Sequence, residues 1–141
     1  MNGACLEDLA VGQTAELKRI VQSGDLQAFA DVTGDTNPAH LDEAYAAATA
    51  FKGRIAHGML SAGYISAVLG TKLPGPGAIY VSQTLSFRRP VRIGDEVTAE
   101  VKVTAIDAAR ARVTLATQCV VAGKTVVDGE AVVVVPRRAA K

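Results

Sequence analysis

The second half of the chain alternates apolar and polar side chains, a spacing typical of β-strands with one buried face. Short breaks rich in Gly, Asp and Ala separate the later stretches, and breaks of this length join antiparallel neighbours. Residues 131–135 are apolar at consecutive positions, so we expect the last strand to be covered on both faces. The predicted strands are residues 78–87, 96–106, 112–121 and 124–135.

The first half predicts one weak strand followed by helices. Residues 14–21 alternate loosely, and a helix is predicted to begin at Ser23 as its cap and to end at Gly34. A short helix is predicted over residues 42–50. Between these two helices, the Asn37-Pro38 pair predicts a rigid turn, because proline disfavours the helical conformation in the residue before it.

The stretch from His57 to Gly70 has the spacing of a helix but contains no Asp, Glu, Lys or Arg. A helix without a polar stripe is normally surrounded by protein. One such helix and a long antiparallel sheet predict an α+β domain in which the sheet curls around the helix. Because large aromatic side chains are few, we expect apolar surface to be left over and covered by a second copy in a homodimer.

Length and composition exclude several classes of protein. A chain of 141 residues suits one domain, and 15 Lys and Arg against 14 Asp and Glu give no sign of a nucleic-acid or membrane partner. No secretory signal is recognisable at the start of the chain, and the charge-free stretch is too short to cross a bilayer. Cys5 and Cys119 are far apart without a ligand pattern, so we expect reduced thiols in a cytoplasmic protein.

The candidate chemistry lies in the turn before the charge-free helix. Asp35 and His40 are held five residues apart across the proline turn, and such a pair can exchange a proton with a water molecule. Gly58 at the helix start offers a bare N–H and a positive dipole end, which suit a carbonyl oxygen that gains negative charge. A structural interpretation also remains open, in which Asp35 caps the turn and His40 packs at the edge of the core.

Residues 34–42 and 51–60 closely resemble the hydratase motif of the MaoC-like (R)-specific enoyl-CoA hydratases. The resemblance continues through Leu-Pro-Gly at 73–75, Leu-Ser-Phe at 85–87 and Gly-Asp-Glu-Val at 94–97. It implies a single hot-dog domain over residues 1–141, with an antiparallel β-sheet wrapped around a long central α-helix. It also implies reversible syn addition of water to a trans-2-enoyl-CoA, giving an (R)-3-hydroxyacyl-CoA within fatty-acid or polyhydroxyalkanoate metabolism.

The resemblance also assigns roles to individual residues. Asp35 and His40 match the catalytic pair, and we favour Asp35 as base and His40 as proton donor, with the reverse left open. No metal and no organic cofactor are implied, since coenzyme A is part of the substrate. The residues implied to bind or support the substrate are Asn37, Gly58, Ser66 and His57, of which His57 could instead position the helix start.

Other interpretations stay open at this point. A dehydratase that acts on acyl carrier protein substrates, a hot-dog thioesterase and a thioester-binding module without turnover are the alternatives; the thioesterase fits less well because the helix lacks a carboxylate. A metal shared by His40, His57 and Asp42 has no supporting ligand spacing. The basic residues 88–92 could meet coenzyme A phosphates, although a solvated strand end explains them equally well.

Overall fold

The computed structural model describes residues 3–138, which form one six-stranded antiparallel sheet and four α-helices. The strands follow the order β1-β4-β5-β6-β2, and β3 pairs with β6 beside β2. A 3-10 turn at Leu6–Asp8 precedes the sheet. The strands are β1 (Thr14–Ile20), β2 (Ile79–Gln83), β3 (Ser86–Phe87), β4 (Glu96–Asp107), β5 (Arg112–Val121) and β6 (Lys124–Val134), and the helices are α1 (Ser23–Thr33), α2 (Pro38–Leu41), α3 (Glu43–Ala47) and α4 (Gly58–Thr71).

The central helix α4 packs its apolar face against the inner face of the curled sheet. Ile65, Val68 and Leu69 are buried there, against alternate buried residues of β4 and β5. This arrangement confirms the predicted α+β architecture. The opposite face of α4 is exposed at Gly63, Ser66 and Gly70. The absence of charged residues predicted a helix surrounded by protein, whereas within one chain the helix is covered on one side only.

The three long strands of the second half lie within two residues of their predicted bounds. Burial alternates along the end of β6, where Val133 is buried and Val132 and Val134 are half-buried. In the single chain the prediction that this strand is covered on both faces therefore holds for the inner face and only in part for the outer face. Apolar residues on the outer face are only partly shielded there.

The predicted strand 78–87 is divided into β2 and β3. The two segments are separated at Thr84, whose N–H donates to the carbonyl of Glu130 while the Glu130 N–H donates to the Thr84 hydroxyl. This contact brings the Thr84 backbone against Gly129 of β6. A Cβ built on Gly129 would lie 1.8 Å from the Thr84 carbonyl oxygen, so only glycine fits at this position.

We expect Gly129→Ala to lower the free energy of unfolding by roughly 1–3 kcal/mol, because backbone atoms must move to admit the methyl group. Gly24→Ala in α1 is the matched control, since Gly24 is exposed and a Cβ at that helix position meets nothing within 4 Å. Alanine should be neutral or stabilising there. Urea denaturation of both variants measures the difference, and equal stabilities would contradict the close backbone approach.

The ends of the first helices show where local signals are sufficient. Gly34 ends α1 in the left-handed conformation with φ 82°, as predicted. The cap of α1 is Gln22 and not Ser23, because the Asp25 carboxylate accepts the Gln22 N–H at 2.9 Å and fixes the first turn one residue earlier. The helix predicted over 42–50 is shorter, beginning after its cap Asp42 and ending at Ala47.

Cys5 and Cys119 are both free thiols, as predicted. Burial raises the pKa of Cys119 to about 12, and the neighbouring Glu100 adds to the shift. Its Sγ donates to the carbonyl of Ser61 at 3.4 Å, which links β5 to α4. The thiol therefore stays protonated and packs as a small apolar group.

Candidate active site

The loop between α1 and α2 holds Asp35 in an Asx turn. The Asp35 carboxylate accepts the N–H of Asn37 at 3.2 Å, and the Asn37 side chain accepts the N–H of Ala39 at 3.0 Å as the cap of α2. Pro38 occupies the first position of this short helix, where its missing N–H costs nothing. Asn37 therefore shapes the loop that carries Asp35 and His40, in keeping with its expected supporting role.

Half-buried His40 lies on α2 and is fixed on two sides. Its Nδ1 lies 2.6 Å from the carbonyl oxygen of Ile55. A carbonyl can only accept, so Nδ1 carries the proton and Nε2 is left for proton exchange. The Nε of Arg54 donates to the His40 carbonyl at 2.6 Å, and its Nη1 donates to the Ser23 hydroxyl at 3.2 Å.

His57 is 2% exposed and lies directly before α4. Its Nε2–H donates to the carbonyl of Asp35 at 3.1 Å, and its ring stacks on that of His40 with a centroid distance of 3.9 Å. Phe29 covers the other side, at 4.5 Å between ring centroids. These contacts show His57 fixing the backbone of Asp35 and the ring of His40, which is a positioning role.

Burial lowers the pKa of His57, and the nearby His40 adds to the lowering, while the hydrogen bond to Asp35 opposes it. Its Nδ1 is buried without a hydrogen-bond partner among residues 3–138. A second proton on Nδ1 would therefore be a buried, unpaired N–H. His57 is neutral near pH 7, and the folded state resists its protonation.

We expect the free energy of unfolding to fall as the pH drops below about 6.5, because the unfolded chain then binds a proton that folded His57 refuses. His57→Gln keeps an amide donor for the Asp35 carbonyl but cannot titrate. Its stability should depend less steeply on pH between about pH 7 and pH 5 than that of the unaltered chain. Denaturant titrations across this range measure the two slopes, and parallel slopes would contradict the neutral buried state.

Asp35, His40 and His57 each place one ligand-type atom within 4.8 Å of the others. Two groups that bind the same water at about 2.8 Å each lie at most roughly 5 Å apart, and the limit of 4.8 Å between Asp35 and His40 meets this condition for one shared water molecule. The same three residues could also be considered as metal ligands. The sequence analysis considered Asp42 with the two histidines, whereas the structure places Asp35 beside them. The His40 and His57 rings are stacked with 29° between their planes, so their in-plane lone pairs do not converge on one ion, as metal ligation requires.

An apolar cavity of about 520 Å³ opens beside this cluster. Gly58 lines it, and among residues 3–138 no partner occupies the N–H of Gly58 at the start of α4. Phe87 of β3 lies across Gly58, with ring atoms 2.6 Å from where a Cβ would be. The cavity thus brings His40, His57 and a free helix N–H to one wall.

Not every residue implied to bind substrate lies at this cavity. Ser66 is exposed on the far face of α4, whereas Ser61 of the same helix is buried and lines the cavity. Sequence reasoning missed Ser61, Phe87 and the clamp made by Arg54. Arg54 lies inside the motif that resembles the hydratases, but no sequence pattern indicates that its guanidinium donates a hydrogen bond to the His40 carbonyl.

The fold and the site define a hot-dog protein in which a cluster of Asp35, His40 and His57 lies beside an apolar cavity. Residues 9–134 match the model of the MaoC like domain, and the chain belongs to this family. No helix within the described part of the chain is long and apolar enough to cross a membrane.

Known relatives resemble the chain over nearly its whole length. An (R)-specific enoyl-CoA hydratase from Rhodospirillum rubrum is 59% identical, over 94% of this chain and 92% of the relative. A 3-hydroxybutyryl-CoA dehydratase from Methylorubrum extorquens is 56% identical, over 94% and 84%. Among solved structures, the unliganded R-hydratase PhaJ1 from Pseudomonas aeruginosa superposes with a TM-score of 0.92 at 51% identity, over 96% of this chain and 88% of that one.

Proposed function

We propose that this chain is an (R)-specific enoyl-CoA hydratase, a hydro-lyase that reversibly adds water to trans-2-enoyl-CoA and gives (R)-3-hydroxyacyl-CoA. The observation that carries the proposal is the spacing of Asp35 and His40, which suits one shared water, beside a cavity whose wall includes the free N–H of Gly58. Relatives with 49–59% identity bear the names of hydratases and of a dehydratase for this class of thioester.

In the proposed reaction, the N–H of Gly58 donates a hydrogen bond to the thioester carbonyl oxygen. Negative charge develops on this oxygen when water adds to Cβ, so the bond is strongest in the enolate-like transition state. The N-terminal end of α4 adds a favourable dipole. Cβ becomes electrophilic as electron density moves toward the carbonyl.

Asp35 and His40 hold the attacking water between them. Asp35 accepts one water proton as the oxygen bonds to Cβ. His40 enters this step protonated on both ring nitrogens and gives the Nε2 proton to Cα from the same side, so the addition is syn. The proton taken up by Asp35 then passes to Nε2 of His40, which restores both groups for the next turnover. The hydrogen bond from Nδ1 to Ile55 fixes which ring nitrogen exchanges the proton. The opposite assignment, with His40 as base, uses the same geometry, and every step uses only groups of this chain and its thioester substrate.

A second candidate is the dehydration of 3-hydroxyacyl groups carried by acyl carrier protein. Its support is a 36% identical relative from Arabidopsis thaliana named mitochondrial 3-hydroxyacyl-[acyl-carrier-protein] dehydratase, matched over 91% of this chain and 78% of the relative. The reaction is the reverse of the same chemistry. It differs in the carrier, and not in the acid–base groups.

The deciding experiment follows the enoyl thioester absorbance of crotonyl-CoA together with a free-thiol assay. Loss of absorbance without thiol release supports hydration, whereas thiol release indicates the thioesterase alternative. Neither change, with binding retained, indicates a thioester-binding module. Oxidation of the product by a 3-hydroxyacyl-CoA dehydrogenase of known stereospecificity tests the (R) configuration.

We further propose that the chain works as a homodimer. The edge strand β2 exposes Ile79, Tyr80 and Val81, which are 67%, 41% and 43% accessible, and the uncovered face of α4 is made of small residues. Apolar edges of this kind are usually paired or covered. A second copy would shield both surfaces and give Ser66 a neighbour, and sedimentation equilibrium measures the state directly.

A cytoplasmic role in fatty-acid breakdown, with supply of (R)-3-hydroxyacyl-CoA to polyester synthesis, completes this proposal. Its support is the free state of both cysteines and an (R)-hydratase from Aeromonas caviae described as involved in PHA biosynthesis, 49% identical with a TM-score of 0.90. That structure aligns with 92% of this chain and 99% of its own. Accumulation of labelled polyester precursor in cells that express the chain tests the pathway.

A further inference from the structure

Three arginines lie in the segment between β3 and β4, where the apolar cavity opens. Arg88 and Arg89 both line the cavity, and Arg92 follows four residues after Arg88. The segment is anchored by the N–H groups of Arg88 and Arg89, which donate to the carbonyl of Val126. Pro90 further restricts the backbone of Arg89 to extended conformations. The guanidinium groups are therefore carried on a fixed support.

Two of the three guanidinium groups already have partners. The Nε of Arg88 lies 3.1 Å from the carboxylate of Asp128, and Arg92 donates to the carbonyl of Phe51. Within residues 3–138, the guanidinium of Arg89 has no salt bridge and no hydrogen bond. Arg89 is thus an exposed cation without a compensating charge.

The surroundings of Arg89 favour an anion. No Asp or Glu of the described chain lines the cavity, and the net charge of the whole sequence is only +1, so the local potential depends on a few groups. A guanidinium matches the paired oxygens of a phosphate and holds them with two parallel hydrogen bonds. An apolar cavity with one free cation fits a ligand that has an apolar end and a phosphate end.

We propose that Arg89 binds a phosphate group of the thioester carrier and is the anchoring residue for that end of the substrate. This assignment rests on the proposed function, because it takes a carrier thioester as the ligand. Both coenzyme A and the prosthetic arm of acyl carrier protein carry such a phosphate. Arg88 and Arg92 contribute less, since their guanidinium groups are engaged by the protein.

The test compares Arg89→Gln with Arg110→Gln, which removes the same charge from an exposed residue outside the cavity. Both variants are assayed with three crotonyl thioesters, of coenzyme A, of 4′-phosphopantetheine and of pantetheine without phosphate. Arg89→Gln should raise KM for the coenzyme A ester roughly three- to tenfold with kcat unchanged. The difference should shrink as salt is raised above about 0.1 M, because the pair is screened.

The three esters identify the phosphate. A raised KM with the phosphopantetheine ester as well assigns the contact to the phosphate shared by both carriers, whereas an effect confined to coenzyme A assigns it to the nucleotide end. An equal change with the pantetheine ester, or no change with any ester, overturns the proposal. Isothermal titration of coenzyme A itself gives a second readout, so loss of affinity in Arg89→Gln would support the site even if no ester were hydrated and the proposed function failed.

Discussion

Asp35→Asn is expected to lower kcat for crotonyl-CoA hydration by about 10²–10⁴-fold while leaving the fold intact. The substitution removes the base but keeps a side-chain oxygen that can accept the N–H of Asn37, which Asp35 now accepts at 3.2 Å. His40→Gln should cause a loss of the same order. His40→Asn is the cleaner variant, because its amide can still donate to the carbonyl of Ile55 while Nε2 is lost.

The double variant Asp35→Asn with His40→Asn should lose little more activity than either single variant, because groups that act on one water are not additive. Asp42→Asn is the matched control. Asp42 is an exposed acid on the same segment that caps α3 through the N–H of Tyr45, and asparagine caps equally well. Steady-state kinetics and thermal denaturation of the five variants are needed, and near-normal turnover in Asp35→Asn would show that the acid–base assignment is wrong.

Local signals in the sequence were sufficient for most of the fold. Alternating apolar positions define β4, β5 and β6, and Gly34 ends α1, because these features depend on neighbouring residues. The division of the strand predicted over 78–87 could not be foreseen, since it depends on the contact between Thr84 and Gly129, which are distant in sequence. The exposed face of α4 at Gly63, Ser66 and Gly70 could not be foreseen either, because small uncharged residues are compatible with both buried and exposed positions.

In the candidate site, too, features set by neighbouring residues could be predicted from the sequence, whereas contacts between distant segments could not. The spacing of Asp35, His40 and Gly58 predicted a proton-exchanging pair near a helix start, and the structure brings the three to one region. The clamp by Arg54 could not be predicted, because it joins residues from three separate segments. The contact between Phe87 and Gly58 is of the same kind and explains why the helix begins with the smallest residue.

Gly58→Ala is expected to lower kcat/KM by roughly 10²-fold with little change in stability. The added methyl carbon would meet the Phe87 ring at 2.6 Å, so this ring must move. Phe87 is 55% exposed, and its displacement therefore costs little folding energy. The same ring lines the cavity where the thioester would bind, so its displacement would shift the bound thioester, and a misplacement of about 1 Å can reduce the rate by about 10²-fold.

Gly24→Ala separates this effect from a general effect of replacing a helical glycine by alanine, because a Cβ at Gly24 of α1 meets nothing within 4 Å. The clash itself is tested in the background of Phe87→Val, where the obstructing ring is gone. Gly58→Ala should then cost much less activity than in the unaltered chain, giving a coupling between the two sites. Equal losses in both backgrounds would mean that the methyl group disturbs the N–H of residue 58 directly and that the contact with the ring is incidental.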